Sequence, residues 1–335
     1  MENVNHLPDT SVPVPTECGF SDPSLRHTLF SSSSSEAKDL KRVCLHSRMT
    51  ENRPTTKLLI DTDIADAPDD AFAIYMAMRM GAEIVGITTV FRDTKKRAET
   101  VRELLSAYGE GYETVPVVAG AGDTETDDAA DFIIDACKKY GKELTVVAIG
   151  PFTNIARAIK KDAAALGLAD KIVIMGGAYF KQYADWNVMC DAESAAVMFD
   201  ALDNLECIGA DVTHMLDIGD KRADIIASHA NDSDARGIIS RLYASWRAEN
   251  PNDNTVLHDP LAVYYALHPE ACTVKAAHVA VITEGLGRGM TLNADAYRKA
   301  YMNPAFDGRD TERRVLVADG VDAEEFIGLF MRLFE

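Results

Sequence analysis

The sequence predicts an α/β fold: a mainly parallel sheet with helices on both faces, in one domain over residues 55–335. Two observations carry this. Six short apolar runs alternate with longer segments suited to helices, the pattern of repeated strand–helix–strand units. The first run, Leu58-Leu59-Ile60, is unbroken and apolar, as a strand buried on both faces of a parallel sheet must be. The chain has 335 residues, 47% of them hydrophobic, enough for a large core.

Residues 1–54 stand apart. They hold Pro13, Pro15, Pro23 and a serine run at 31–35, and they lack apolar periodicity. That composition predicts a disordered extension. Met49, just ahead of the first strand, reads as an alternative native start. A transit peptide is the competing reading, opposed by the acids Glu2, Asp9, Glu17 and Asp22.

The first strand feeds a loop carrying Asp61, Asp63, Asp66, Asp69 and Asp70, then an apolar helix through Met78 with Pro68 in its first turn. In an open α/β sheet such a loop lies at the carboxyl end of a strand, where ligands bind. Acids this close raise one another's pKa and destabilise the fold. A hard divalent cation resolves the conflict, because it takes several oxygen ligands. Helix capping explains one or two of these acids but leaves the others without a role. An EF-hand is excluded: counted from Asp61, the sixth and twelfth positions hold Asp66 and Phe72 where Gly and Glu are needed.

The remaining elements follow in order. Strands are expected at 83–91, 115–119, 144–150, 171–176 and 205–212, and helices at 94–108 and 221–249. Asp93 falls between the second strand and its helix. Asp185-Trp186-Asn187 follows the fifth strand, with Asp191 and Glu193 as a helix cap and a first-turn charge. His258-Asp259-Pro260 opens a helix running to Leu267. Residues 276–283 and 314–318 read as antiparallel additions, and 321–334 as a terminal helix. The glycine-rich stretch 285–289 is a turn, since it lacks the spacing and context of a dinucleotide fingerprint. Trp186 reads as core packing. Tyr243 and Trp246 read either as core or as rings that stack on a ligand.

These motifs resemble, in order and spacing, the nucleoside hydrolase family of the inosine-uridine preferring type. The family's D-x-D…D-D opening stands here at Asp61, Asp63, Asp69 and Asp70, in a loop two residues longer. Its G-P-x-T-N stretch is Gly150 to Asn154, and Asp211-Val212-Thr213 and His258-Asp259-Pro260 also fit. The match runs from Thr56 to the C-terminus. It implies a Rossmann-like fold and Ca²⁺-dependent hydrolysis of the N-glycosidic bond of ribonucleosides, a salvage reaction. By resemblance, Asp63, Asp70, Asp259 and the backbone carbonyl of Ile149 ligate Ca²⁺, and Asp63 is also the general base. Asn154 supports its turn. Asp69 and Asn187 hold the ribose. Asp185 stands where the family has a Glu that binds the ribose 5′-hydroxyl, and Asp93 where it has an Asn that reaches a ribose hydroxyl, so both are expected to bind the sugar. His258 faces the base and is the expected residue to protonate or orient it, so Asp63 and His258 are the expected catalytic pair. Some family members use a further His after the third strand to protonate the leaving base; residues 120–142 contain none, so leaving-group activation differs here. The resemblance also implies a homodimer or homotetramer.

Charge and composition exclude other classes. A formal charge of −19 without a basic run argues against nucleic acid or an anionic membrane as partner. The sequence has no apolar stretch long enough to span a bilayer. The six cysteines lack C-x-x-C spacing, which predicts a reducing, cytoplasmic setting with neither zinc nor disulfides. Three alternatives stay open at this point: a hydrolase for an unusual or modified nucleoside, a non-catalytic nucleoside or ribose binder on the same scaffold, and a Mg²⁺-dependent phosphatase.

Overall fold

The sheet forms because apolar residues alternate sides along each strand. In β1 (Lys57–Thr62), Leu58 and Ile60 enter one core and Leu59 the other. In β4 (Leu144–Ala148), Val147 faces the first core and Val146 and Ala148 the second. In β5 (Lys171–Met175), Val173 and Met175 face the first, Ile172 and Ile174 the second. Both faces therefore need cover. The first is covered by α1 (Asp69–Arg79), α2 (Thr94–Tyr108), α8 (Gly219–Ser228), α9 (Ala235–Glu249), α10 (His258–Leu267) and α11 (Ala323–Met331). The second is covered by α3 (Asp128–Tyr140), α4 (Thr153–Leu166) and α6 (Ala192–Ala201). Helix α1 is apolar around its circumference, and every residue from Asp69 to Met78 is buried.

This architecture comes from a computed structural model that describes residues 56–293 and 314–335. The expected extension over 1–54, with its Met49 and transit-peptide readings, lies outside the described residues. The described residues belong to one unit, Pro54–Glu335.

The main sheet has eight strands in the order β3 (Val117–Ala119), β2 (Glu83–Thr89), β1, β4, β5, β6 (Leu205–Ile208), β10 (Val315–Val321), β7 (Cys272–Ala277). Neighbours are parallel except β10 and β7. The strand order reverses between β1 and β4, so a crevice opens beyond their carboxyl ends.

Three sequence expectations are corrected. Strand β10 is parallel to β6; only β7 is an antiparallel addition to the main sheet. Burial explains the order. Val315, Val317 and Ala318 of β10 are buried and take the inner place, while residues 273–276 of β7, including Lys275, are exposed and take the edge. The expected strand at 276–283 divides between β7 and β8 (Val279–Val281), which pairs with β9 (Thr291–Asn293) in a separate hairpin sheet. The sixth strand stops at Ile208, because the chain turns into the short α7 (Ala210–Thr213). The helices expected over 221–249 are α8 and α9, the second capped where Asp234 accepts from the Arg236 N–H.

Candidate active site

A cavity of about 900 Å³ sits in the crevice where the strand order reverses. Residues just past four strands line it: Asp63 after β1, Ile149 after β4, Met175 ending β5 and Ala210 after β6. Helix termini supply most of its remaining polar groups. Asp69 and Asp70 begin α1, Asn187 lies in α5 (Trp186–Cys190), and His258 and Asp259 begin α10.

The acidic end is compact. Carboxylate oxygens of Asp69, Asp70 and Asp259 lie within 4.8 Å of one another, all buried. Burial is the main cause that pushes Asp69 up to about 7 and Asp70 up to about 8; for Asp70 the neighbouring Asp69 comes next. Asp259 is raised by burial and then by Asp69 and Asp70. Asp63 is raised by burial and by Asp70, and Arg97 opposes the rise. Thr62 Oγ1 donates to Asp70 at 2.5 Å. Only oxygen donors meet here, and in isolation they repel. That donor chemistry fits a hard divalent cation.

Two framing devices hold the acidic loop. The guanidinium of Arg97, only 5% exposed, donates to the carbonyls of Asp63, Ile64 and Phe91 and pairs with Asp66 at 3.0 Å. Asp61 is fully buried and lines no part of the cavity. It accepts from Thr88 Oγ1 at 2.6 Å and Asn154 Nδ2 at 2.8 Å. Asn154 also donates to the Thr89 carbonyl and accepts from the Ala121 N–H, which ties β1, β2 and α4 together as a support of the turn.

At the facing strand ends, Asn187 Nδ2 donates to the carbonyls of Ile149 (2.9 Å) and Met175 (3.1 Å). Two carbonyl partners fix the amide orientation and leave Oδ1 as an acceptor for a ligand hydroxyl. Asp185 is buried and caps α5 by accepting from the Val188 N–H at 3.1 Å. On the other side of the cavity, His258 Nδ1 bonds to Thr213 Oγ1 at 2.7 Å. Burial, with a smaller push from His214, lowers His258 to about 4, so its ring is neutral at neutral pH. Trp186, 52% exposed, stands at the rim.

A sequence profile of the inosine-uridine preferring nucleoside hydrolase family matches residues 58–328. The chain belongs to that family. It is 30% identical over 276 residues to uridine nucleosidase 1 of Arabidopsis thaliana, covering 70% of this chain and 81% of that protein. It is 28% identical over 281 residues to probable uridine nucleosidase 1 of Oryza sativa subsp. japonica (72% and 86%). Among solved structures, the plant nucleoside hydrolase PpNRh1 aligns with a TM-score of 0.70 at 25% identity, over 84% of this chain and 99% of that one. The purine-preferring ribonucleoside hydrolase of Gardnerella vaginalis aligns at 0.65 and 28% identity, over 83% and 98%.

In this nucleoside hydrolase the expected site residues Asp63, Asp69, Asp70, Ile149, Asp185, Asn187, His258 and Asp259 all line one cavity. Asp93 does not join them. It follows Phe91 and Arg92, both at positive φ, is exposed, and accepts from the Lys96 N–H as the cap of α2. Trp186 is not core, whereas Tyr243, 3% exposed, packs on Phe72 and belongs to the core. Trp246 lines the cavity. Asp191 caps α6, and Glu193 pairs with Arg288. Sequence reasoning missed Arg97, Tyr183 and His214. Arg97 gives no local signal, because an arginine in a charged helix is ordinarily solvated. His214 directly follows the Asp211-Val212-Thr213 motif and could have been found there. The described cysteines Cys137, Cys190, Cys207 and Cys272 are free, and no described helix is long and apolar enough to cross a membrane.

Proposed function

We propose that the protein hydrolyses the N-glycosidic bond of ribonucleosides with a bound Ca²⁺, releasing base and ribose for salvage. The supporting observation is the meeting of Asp69, Asp70 and Asp259, drawn from opposite ends of the domain, beside Asp63 in one cavity. The ligands would be Asp63, Asp70, Asp259 and the Ile149 carbonyl, with Asp69 close enough to share the charge. Bound there, Ca²⁺ supplies Lewis-acid polarisation of the oxygens around it.

The chain's own groups then divide the work. Breaking the bond to the base builds positive charge on the ribose ring, and the acidic end of the cavity stabilises it. Asp63, raised by burial and Asp70, takes the proton of the attacking water. Asp69 and the free Oδ1 of Asn187 accept from ribose hydroxyls. Asp185, which caps α5, also lines the cavity and would meet the 5′ side of the sugar. Neutral His258 orients the base as a hydrogen-bond partner. Asp93 has no part in this set. Against the phosphatase alternative, the late acid that meets the Asp69–Asp70 cluster among the described residues is Asp259; Asp253, from the loop before α10, lines the cavity but stands outside that cluster.

Replacing Asp63 tests the reading. Asp63→Ala should fold with an unchanged circular-dichroism spectrum and lose at least about 10³-fold in kcat, on the scale of general-base removal. Near-wild-type sugar release by that variant would take the base role from Asp63. Ligand binding by calorimetry with no sugar release from the wild type would favour a non-catalytic binder.

A further inference from the structure

The cavity holds a second imidazole whose setting differs from that of His258. Tyr183 and His214 both line it. Their rings stack at 5.4 Å and 22°, and the Tyr183 hydroxyl bonds to His214 Nδ1 at 3.2 Å. His214 meets His258 edge-on at 5.3 Å. Each ring is thus held at Nδ1 by a hydroxyl, His214 by Tyr183 and His258 by Thr213. Among the described residues, neither Nε2 has a hydrogen-bond partner. The two rings differ in access to water: His258 is half-buried and its ring is packed away, while His214 is exposed. Other described histidines are engaged elsewhere, His229 with Asp232 and the Phe334 carbonyl, and His268 against Tyr264.

We propose that His214, oriented by Tyr183, is the proton donor to the departing base. This rests on the ribonucleoside hydrolysis proposed above and supplies the leaving-group activation that residues 120–142, which lack histidine, do not. In the donor form both ring nitrogens carry hydrogen. Nδ1–H donates to the Tyr183 oxygen, which fixes the ring and leaves Nε2–H to serve a ligand in the cavity that His214 lines. As the C1′–N bond breaks, its electron pair passes to the base, and the Nε2 proton passes to a ring nitrogen or carbonyl oxygen of the base. Water adds to C1′ and gives its proton to Asp63. His214 is then neutral, still held through Nδ1, and recovers its proton from solvent, for which its exposure suits it. Histidine is the side chain fitted to this exchange near neutrality.

The test separates proton donation from structure by the leaving group. Wild type, His214→Gln and Tyr183→Phe are compared on the best ribonucleoside and on 4-nitrophenyl β-D-ribofuranoside, whose nitrophenolate departs without needing a proton. His214→Gln should lose about 10²–10³-fold in kcat on the nucleoside, the range of general-acid catalysis, while keeping kcat on the nitrophenyl riboside within about threefold. Tyr183→Phe should show the same split at smaller size. Equal loss on both substrates, loss on neither, or a change confined to KM overturns the proposal. So does a leaving-group split in His258→Gln with none in His214→Gln. Wild type that is folded yet silent on both substrates defeats the hydrolase reading itself, and this proposal falls with it.

Discussion

A methyl group on Gly150 would lie 2.9 Å from both the backbone N and Oδ1 of Asp63 and 2.7 Å from Val90 Cγ1. No side chain fits there without moving the proposed base. Gly150→Ala should therefore lower kcat about 10²-fold, the effect of an ångström-scale misplacement, with KM less affected. An unchanged kcat would show that Asp63 tolerates displacement. Residues differ in how legible they are. Asp63, Asp69 and Asp70 announce themselves, because capping explains only one or two acids of such a cluster, whereas Asp259 is legible only through the family resemblance. Gly150 is visible only once the β1 and β4 ends are seen side by side. Asp93 is ambiguous, because a strand-end acid serves equally as a helix cap, and here one of its oxygens accepts from the Lys96 N–H.

At the scale of elements, the loop between β1 and α1 depends on a helix that contributes nothing else to the cavity. Arg97 of α2 reaches three carbonyls and Asp66 at once, a planar fork that an ammonium cannot copy. Arg97→Lys should cost about 2–4 kcal/mol, since buried acceptors lose charged donors. It should also lower kcat by loosening Asp63. A thermal melt and a kinetic assay check both, and wild-type values in each would remove Arg97 from the support of the loop. Strand and helix types followed apolar periodicity, but their ends did not. The sixth strand, expected to run to 212, ends at Ile208 and gives way to α7, because the turn outweighs periodicity there.

Across the whole molecule, the parallel sheet was legible from alternation alone. The place of β10 was not, since pairing between β6 and a strand more than 100 residues later leaves no local trace. The same long reach brings Asp259 to Asp69 and Asp70, and it gives the protein a pH signature. Without a cation, folding raises Asp69 from 3.8 to about 7 and Asp70 to about 8. The folded state then binds protons more tightly than the unfolded one. Stability from these groups is present below about pH 4 and is lost as pH rises through 7 and 8. In chelator the melting temperature should fall between pH 5 and 8. Ca²⁺ should flatten that fall, adding about 2.7 kcal/mol at a free concentration 100 times its Kd. Melts that do not respond to Ca²⁺ at pH 8 would argue against a cation among these carboxylates.

The most direct measurement is reducing-sugar release from a panel of purine and pyrimidine ribonucleosides, first with Ca²⁺, then with EDTA, then with Ca²⁺ restored. Ribose should appear, stop and return, with one base class preferred. Release that continues undiminished in EDTA, or no release from any nucleoside with Ca²⁺ present, would contradict cation-assisted hydrolysis at this site.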